Sequence, residues 1–118
     1  MRNLNLNEAS AFSKKSPYEI WQEWEGVPVY KGFIVESLKK LQLGDWERTG
    51  GKGAFINLDG AGGTCDVVLH EVPPKGQLKP QRHIFETMIF VLQGQGATTI
   101  WNEGGRKHTL EWQAGSLF

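Results

Sequence analysis

The sequence predicts an all-β fold, either a β-sandwich or a small barrel. From residue 54 onward, short apolar or alternating stretches recur at intervals of about 8 to 12 residues, with glycine-rich turns between them. Fifteen glycines against five prolines also fit a turn-rich β protein better than a helical bundle. A chain of 118 residues is long enough for one domain with a real core.

The composition argues against several classes of function. Thirteen basic and thirteen acidic residues cancel, so no charge excess points to nucleic acid or to an anionic membrane surface. No apolar run approaches the roughly 18 residues of a membrane span, and the N-terminus lacks the apolar middle of a secretory signal. The single cysteine, Cys65, cannot form an intramolecular disulfide. We therefore expect a cytoplasmic protein with no nucleic-acid and no membrane partner.

A short helix is predicted after a loose, polar stretch over residues 1–15. In Ser16-Pro17-Tyr18-Glu19 the serine takes the N-cap, the proline the first helical position and the glutamate the position three after the cap. Gly26 and Pro28 should end the helix after about two turns. Its aromatic face is expected to cap the barrel or to dock on a neighbouring subunit. That face consists of Ile20, Trp21 and Trp24.

Before the β region, the chain should form an arm and a connection. Residues 27–35, VPVYKGFIV, predict an extended edge or crossing strand, because Pro28 and Gly32 interrupt the stretch. A helical turn is expected within residues 36–43. Thr49–Gly53 is interpreted as a flexible connection, since its glycines and lysine lack the spacing of a phosphate-binding loop.

The β region contains five predicted strands. They cover residues 54–58, 64–72, 85–92, 97–102 and 107–112. The second alternates, with Cys65, Val67 and Leu69 on one face and Asp66, Val68 and His70 on the other. The third is apolar throughout, as a strand buried on both faces would be. The last two should form a hairpin in which Trp101 and Trp112 pack across the strands.

One motif resembles a known family. PPKGQLKPQRHIFETMIFVLQGQG, residues 73–96, followed by a strand, a glycine-rich hairpin and WQAGSLF, resembles the first conserved motif of the cupin superfamily. The resemblance covers roughly residues 54–118 and extends to cupin proteins described as gentisate-dioxygenase-like. It implies a double-stranded β-helix, or jelly roll. On this interpretation residues 1–53 are an N-terminal tail, helix and arm, and residues 54–118 are the N-terminal part of a barrel whose second motif would follow Phe118.

The resemblance also implies a metal site. Aligned on Gly94, the paired histidines of the family fall at Gln81 and His83 and its glutamate falls at Thr87, while Glu86 lies one position early. On a strand, that offset turns the side chain to the opposite face unless a bulge intervenes. His83, Glu86 and Gln81 are the predicted ligands, with Fe(II) the first choice and Mn, Ni or Cu as alternatives. In the alternative interpretation, His83 is hydrogen-bonded to backbone in a loop and Glu86 is solvated.

Other side chains near this motif have weaker signals. Arg82 could hold a substrate carboxylate by a bidentate contact, although a surface arginine is commoner. His70 could reach a ligand if its face lines the cavity, although a half-buried packing histidine is commoner. Cys65 is expected to be a small buried apolar residue, and His108 to face solvent.

Two functions follow from these predictions. The first is the N-terminal part of a metal-dependent, dioxygenase-like enzyme that acts on a small aromatic or carbonyl acid. The second is a non-catalytic cupin module that binds a small molecule or mediates oligomerisation. In both cases the incomplete barrel predicts a homodimer, or a swapped assembly in which the arm over residues 27–35 adds a strand to its partner.

Overall fold

The structure, a computed structural model, describes residues 15–61 and 63–118 and is mainly β with one short α-helix. Its elements are α1 (Pro17–Glu25), β1 (Val29–Gly32), a 3₁₀ turn (Leu38–Lys40), β2 (Gly44–Trp46), β3 (Gly51–Leu58), β4 (Val67–Glu71), β5 (Gln95–Trp101) and β6 (Lys107–Gln113). The segment predicted to be loose lies, except for its last residue, outside the described residues. None of the helices in residues 15–61 and 63–118 could span a membrane.

The chain groups into two compact units. The first unit ends at Gln81 and contains α1 and β1 to β4, and the second unit runs from Arg82 to Phe118 and contains β5 and β6. The boundary predicted after residue 53 falls inside β3, which pairs with strands on both sides of that position.

The predicted helix is confirmed, together with the residues predicted to begin and end it. The Ser16 hydroxyl accepts a hydrogen bond from the Glu19 N–H at 3.2 Å, and Gly26 ends the helix with a left-handed φ of 74°. The predicted aromatic face is only partly correct. Trp21 packs against Phe55 at 5.5 Å between ring centroids, but Trp24 is 69% exposed.

The side chain that α1 buries most completely is polar. Gln22 is 1% exposed, and its amide donates to Asn57 Oδ1 at 2.9 Å while the Asn57 amide donates to Gln22 Oε1 at 2.7 Å. Each amide thereby satisfies the other, which removes the penalty of burying an unpaired polar group. This reciprocal pair attaches the helix to β3.

The sheet of the first unit is built around β3. Phe55 pairs with Val29 of β1 and with Val68 of β4, and Lys52 pairs with Asp45 of β2 and again with β4. Since a strand has two edges, β4 occupies one edge of β3, and β1 and β2 share the other. β1 runs parallel to β3 and pairs with no other described strand, so the predicted edge strand is confirmed.

The 3₁₀ turn at Leu38–Lys40 confirms the helical turn expected within residues 36–43. The flexible connection predicted at Thr49–Gly53 is wrong. Thr49 is fully buried, Gly50 closes a tight turn onto the Trp46 carbonyl, and β3 begins at Gly51. The glycines serve close packing instead of flexibility: a Cβ at Gly53 would lie 2.6 Å from the Leu69 carbonyl oxygen.

The core of the first unit forms around Trp46. Val27, Trp46 and Phe55 are buried together, and Val29 and Val68 pack against them. The Trp46 and Phe55 rings meet edge to face at 5.0 Å, a favoured aromatic geometry. β4 begins only at Val67, so Cys65 precedes the ladder and is exposed. The prediction of a buried Cys65 is therefore wrong.

In the second unit, the predicted hairpin is confirmed as β5 and β6, joined by a turn in which the Gly105 N–H donates to the Asn102 carbonyl at 3.0 Å. The aromatic pair across it is wrong. The register places Trp101 opposite Lys107 and Trp112 opposite Gly96, at the two ends of the hairpin. The Lys107 ammonium lies 5.5 Å from the Trp101 ring centroid. His108 is exposed, as expected.

The strand predicted over residues 85–92, buried on both faces, is also wrong. The segment forms one isolated antiparallel bridge, between Phe90 and Leu117, and only Val91 within it is buried. Within the second unit a single neighbouring segment pairs with it, so its apolar residues are not enclosed. An apolar run indicates that burial of these side chains is favourable, but it does not show which segment covers them.

Candidate functional site

His83 is held by its own loop. Its Nδ1 lies 2.9 Å from the Phe85 carbonyl oxygen and therefore carries the proton, which it donates to that oxygen. The Thr87 hydroxyl lies 3.3 Å from Nε2 and can donate to it. The imidazole also stacks on the Phe85 ring, with centroids 4.4 Å apart and an interplanar angle of 6°. The residue as a whole is exposed.

The other predicted site residues near His83 are exposed as well. Within the described part of the chain, the Glu86 and Gln81 side chains make no hydrogen bond or ion pair. Arg82 is paired with Glu103, and both side chains are 83% exposed, so this surface ion pair adds little stability. Residues 15–61 and 63–118 contain no group of three or more His, Cys, Asp or Glu side chains that could hold a metal ion. An octahedral site would need several such donors to converge.

His70, the other predicted ligand contact, belongs to the packing of the first unit. Its ring stacks on Trp46, with centroids 5.0 Å apart and an interplanar angle of 3°. Val68, on the same face of β4, packs against the core. His70 as a whole is exposed, but one face of its ring is covered by Trp46. This partial burial and, secondarily, the positive charge of Arg48 lower the pKa of His70. Folding therefore favours the neutral form of the ring.

Arg48 is a residue that no sequence motif marked. Its guanidinium carbon lies 5.2 Å from the Trp21 ring and 5.1 Å from the Trp46 ring, and it forms an ion pair with Glu25. The cation thus joins α1 to the β2–β3 turn through two aromatic faces. Predicting the role of Arg48 requires two long-range contacts. The pairing of β2 with β3 places Trp46 beside the turn, and the packing of α1 against Phe55 places Trp21 there.

The most distinctive surface of the second unit is apolar. We call it the Phe90 surface, defined by Met88, Phe90 and Leu117. All three are exposed, Leu117 lies opposite Phe90, and Met88 precedes Phe90 by two residues, on the same face of an extended segment. Met88 is 75% and Phe90 59% exposed. Soluble monomers rarely expose contiguous large apolar side chains, and such patches commonly mark interaction sites.

An open strand edge lies beside this surface. Ile89 and Phe118 exchange two backbone hydrogen bonds, at 2.7 and 3.0 Å, and the Val91 N–H donates to Ser116 at 2.9 Å. In an extended segment the residues that alternate with Ile89 and Val91 turn their backbone groups to the other side. Among the described residues, Met88, Phe90 and Leu92 make no backbone hydrogen bond. The second unit therefore presents unpaired N–H and C=O groups next to exposed apolar side chains.

Comparison of the chain with family models, curated proteins and solved structures gives no match. The relationship to cupins stays a prediction that rests on the motif at residues 73–96.

Proposed function

We propose that the chain is a non-catalytic, cupin-like β module for assembly, and that its second unit binds another polypeptide through the Phe90 surface and the open edge at Met88–Leu92. The observation that carries this proposal is the juxtaposition of the two features. Exposed apolar side chains provide the driving force for association, and unpaired backbone groups provide its direction.

The energetic argument favours covering this surface. Full burial of a side chain such as Met88 or Phe90 is worth about 1.5–3 kcal/mol each. Backbone groups that are unpaired in water gain less, about 0.5–1.5 kcal/mol for each hydrogen bond formed. A partner strand at this edge would gain both contributions at once, whereas a small molecule would leave most of the backbone groups in water.

One contact supports the cupin-like part of the proposal. In the alignment on Gly94, Thr87 stands where the family has its glutamate, and the Thr87 hydroxyl lies 3.3 Å from His83 Nε2. The two positions that the resemblance assigns to one site are thus neighbours in the second unit. A threonine supplies no carboxylate there, which favours the non-catalytic alternative.

Oxidation of Met88 tests the assembly proposal without assuming which partner covers it. In native protein at high concentration, we expect hydrogen peroxide to oxidise Met88 much more slowly than in urea-unfolded protein, because the thioether is covered. Dilution should increase the native rate. A native rate equal to the unfolded rate at every concentration would overturn the proposal.

Metal-dependent chemistry is the second candidate, and one observation favours it. The Nδ1–H of His83 donates to a backbone carbonyl, an arrangement that orients many metal-binding histidines. The lone pair lies on Nε2, where a metal ion would replace the Thr87 hydroxyl. Glu86 and Gln81 would then be further ligands of Fe(II) or a similar ion, and Arg82 would face a small aromatic or carbonyl acid. The ion would supply Lewis-acid and redox chemistry.

Equilibrium dialysis against Fe(II), Mn(II), Ni(II) and Cu(II), with metal analysis, tests this second candidate. The metal-dependent function requires stoichiometric metal binding that is lost in His83→Ala and kept in His108→Ala. His108 is the control position because it is an exposed histidine on β6. Equal binding by the two variants, or none by the unmodified chain, would reject it.

A further inference from the structure

We infer that the polypeptide covering the Phe90 surface is a second copy of this chain, whose residues Met88–Leu92 pair antiparallel with the same residues of the first copy. Phe90 then lies opposite the partner's Phe90 on a two-fold axis. This inference rests on the assembly function proposed above and specifies its partner and register.

The backbone of the open edge suits pairing with itself. Met88, Phe90 and Leu92 are the residues whose backbone groups lack a hydrogen bond, and they alternate with the residues paired to 115–118. An antiparallel pairing centred on Phe90 joins Phe90 to its copy and Met88 to the partner's Leu92. Met88, Phe90 and Leu92 of one copy therefore each gain a backbone partner in the same segment of the other copy.

The charge distribution permits this pairing. Residues 87–102 carry no charged side chain, so two copies can approach along the whole edge without like-charge repulsion. The nearest charge is Glu86, and the register places it opposite the partner's Gly94. Thr87 meets the partner's Gln93. A basic or acidic partner strand would find no complementary charge at this edge.

The side chains favour the same arrangement. Phe90 and Leu117 face each other across their bridge and remain exposed on one face. In the pairing, the two Phe90–Leu117 pairs adjoin and form one apolar strip across four segments. A closed two-fold contact also pairs the open edge of both copies, so no further strand can add at that edge.

Disulfide cross-linking tests the register. In a Cys65→Ser background, which removes the single native thiol, Phe90→Cys should oxidise rapidly to a covalent dimer, because directly opposite Cα atoms in an antiparallel pair lie about 4.5–5.5 Å apart. Met88→Cys is the matched control on the same edge. Its copies would lie roughly four residues, about 13 Å, apart along the strand, beyond disulfide reach.

A mixture of the Met88→Cys and Leu92→Cys chains should yield the mixed covalent dimer. Failure of Phe90→Cys to cross-link, or equal cross-linking of Met88→Cys alone, overturns the inference. If Met88 is nevertheless protected from oxidation in the native protein and this protection falls on dilution, the assembly function stands and another partner or register covers the surface. If Met88 is unprotected, or if its protection does not change on dilution, the proposed function fails together with the inference.

Discussion

Phe90 lies directly opposite Leu117 in an isolated antiparallel bridge, yet the two side chains remain 59% and 61% exposed. Residues that face each other at such a bridge normally contribute to a covered sheet face. Here the backbone is arranged as in a sheet, but the apolar face has no covering layer within the second unit. This combination is the basis for assigning the surface to assembly.

Loss of one member of the Gln22–Asn57 amide pair should destabilise the first unit. Gln22→Ala leaves the Asn57 amide without its two hydrogen bonds in a part-buried position, so the free energy of unfolding should fall by about 1–3 kcal/mol. Urea unfolding measures the change. The double variant Gln22→Leu/Asn57→Leu should lose less unfolding free energy than Gln22→Leu and Asn57→Leu lose in sum when each is measured alone. Strict additivity of the two losses would contradict the pairing.

Glycine at position 53 should be required for packing. In Gly53→Ala the new Cβ would meet the Leu69 carbonyl oxygen at 2.6 Å and the Trp46 ring even closer, so we expect a loss of at least about 1–3 kcal/mol in unfolding free energy. Gly104→Ala is the control, because its nearest new contact is the Asn102 side-chain oxygen at 3.2 Å, which can rotate away. Equal effects of the two substitutions would argue against the Trp46 packing.

The stability of the first unit should decrease as the pH falls below about 6.5, the ordinary pKa of histidine. Because burial and Arg48 lower the pKa of His70 in the folded state, the unfolded chain binds the proton first, and acid favours unfolding. The loss should begin near the unfolded pKa and end once the pH passes below the folded pKa. His70→Phe keeps a ring against Trp46 and should remove this part of the slope in urea unfolding from pH 7 to 5. An unchanged slope would show that His70 does not cause it.

Arginine, and not merely a positive charge, should be needed at position 48. Arg48→Lys keeps the charge beside Glu25 but loses the planar guanidinium that contacts Trp21 and Trp46, so a loss of about 0.5–1 kcal/mol is expected. Thermal unfolding compares it with Arg82→Lys, whose exposed ion pair with Glu103 should contribute little. The reverse order of effects would contradict the role of Arg48.

Local signals in the sequence predicted local structure well. Ser16, Pro17 and Gly26 fix the ends of α1 through contacts within a few residues, and the turn at residues 102–105 fixes the β5–β6 hairpin. The burial of Thr49 and the packing of Trp46 could not be predicted in this way. Both features depend on which strand pairs with β3, and that pairing cannot be predicted from residues close in sequence.

The candidate site was predictable to a similar extent. The hydrogen bond of His83 to its own loop was one of the alternatives, because it depends on near neighbours. The apolar run at residues 85–92 correctly marks a segment for which burial is favourable, but hydrophobicity does not reveal whether the same chain covers it. The open edge can be identified only from the hydrogen bonds of Ile89 and Val91.

Residue-resolved hydrogen exchange tests the assembly function most directly. In a single unpaired copy, the amides of Ile89 and Val91 are hydrogen-bonded while that of Phe90 between them is not. If the edge is paired in solution, the Phe90 amide should exchange as slowly as its two neighbours at high protein concentration, and faster on dilution. A Phe90 amide that exchanges at the unfolded rate at every concentration, between protected neighbours, would contradict the assembly function.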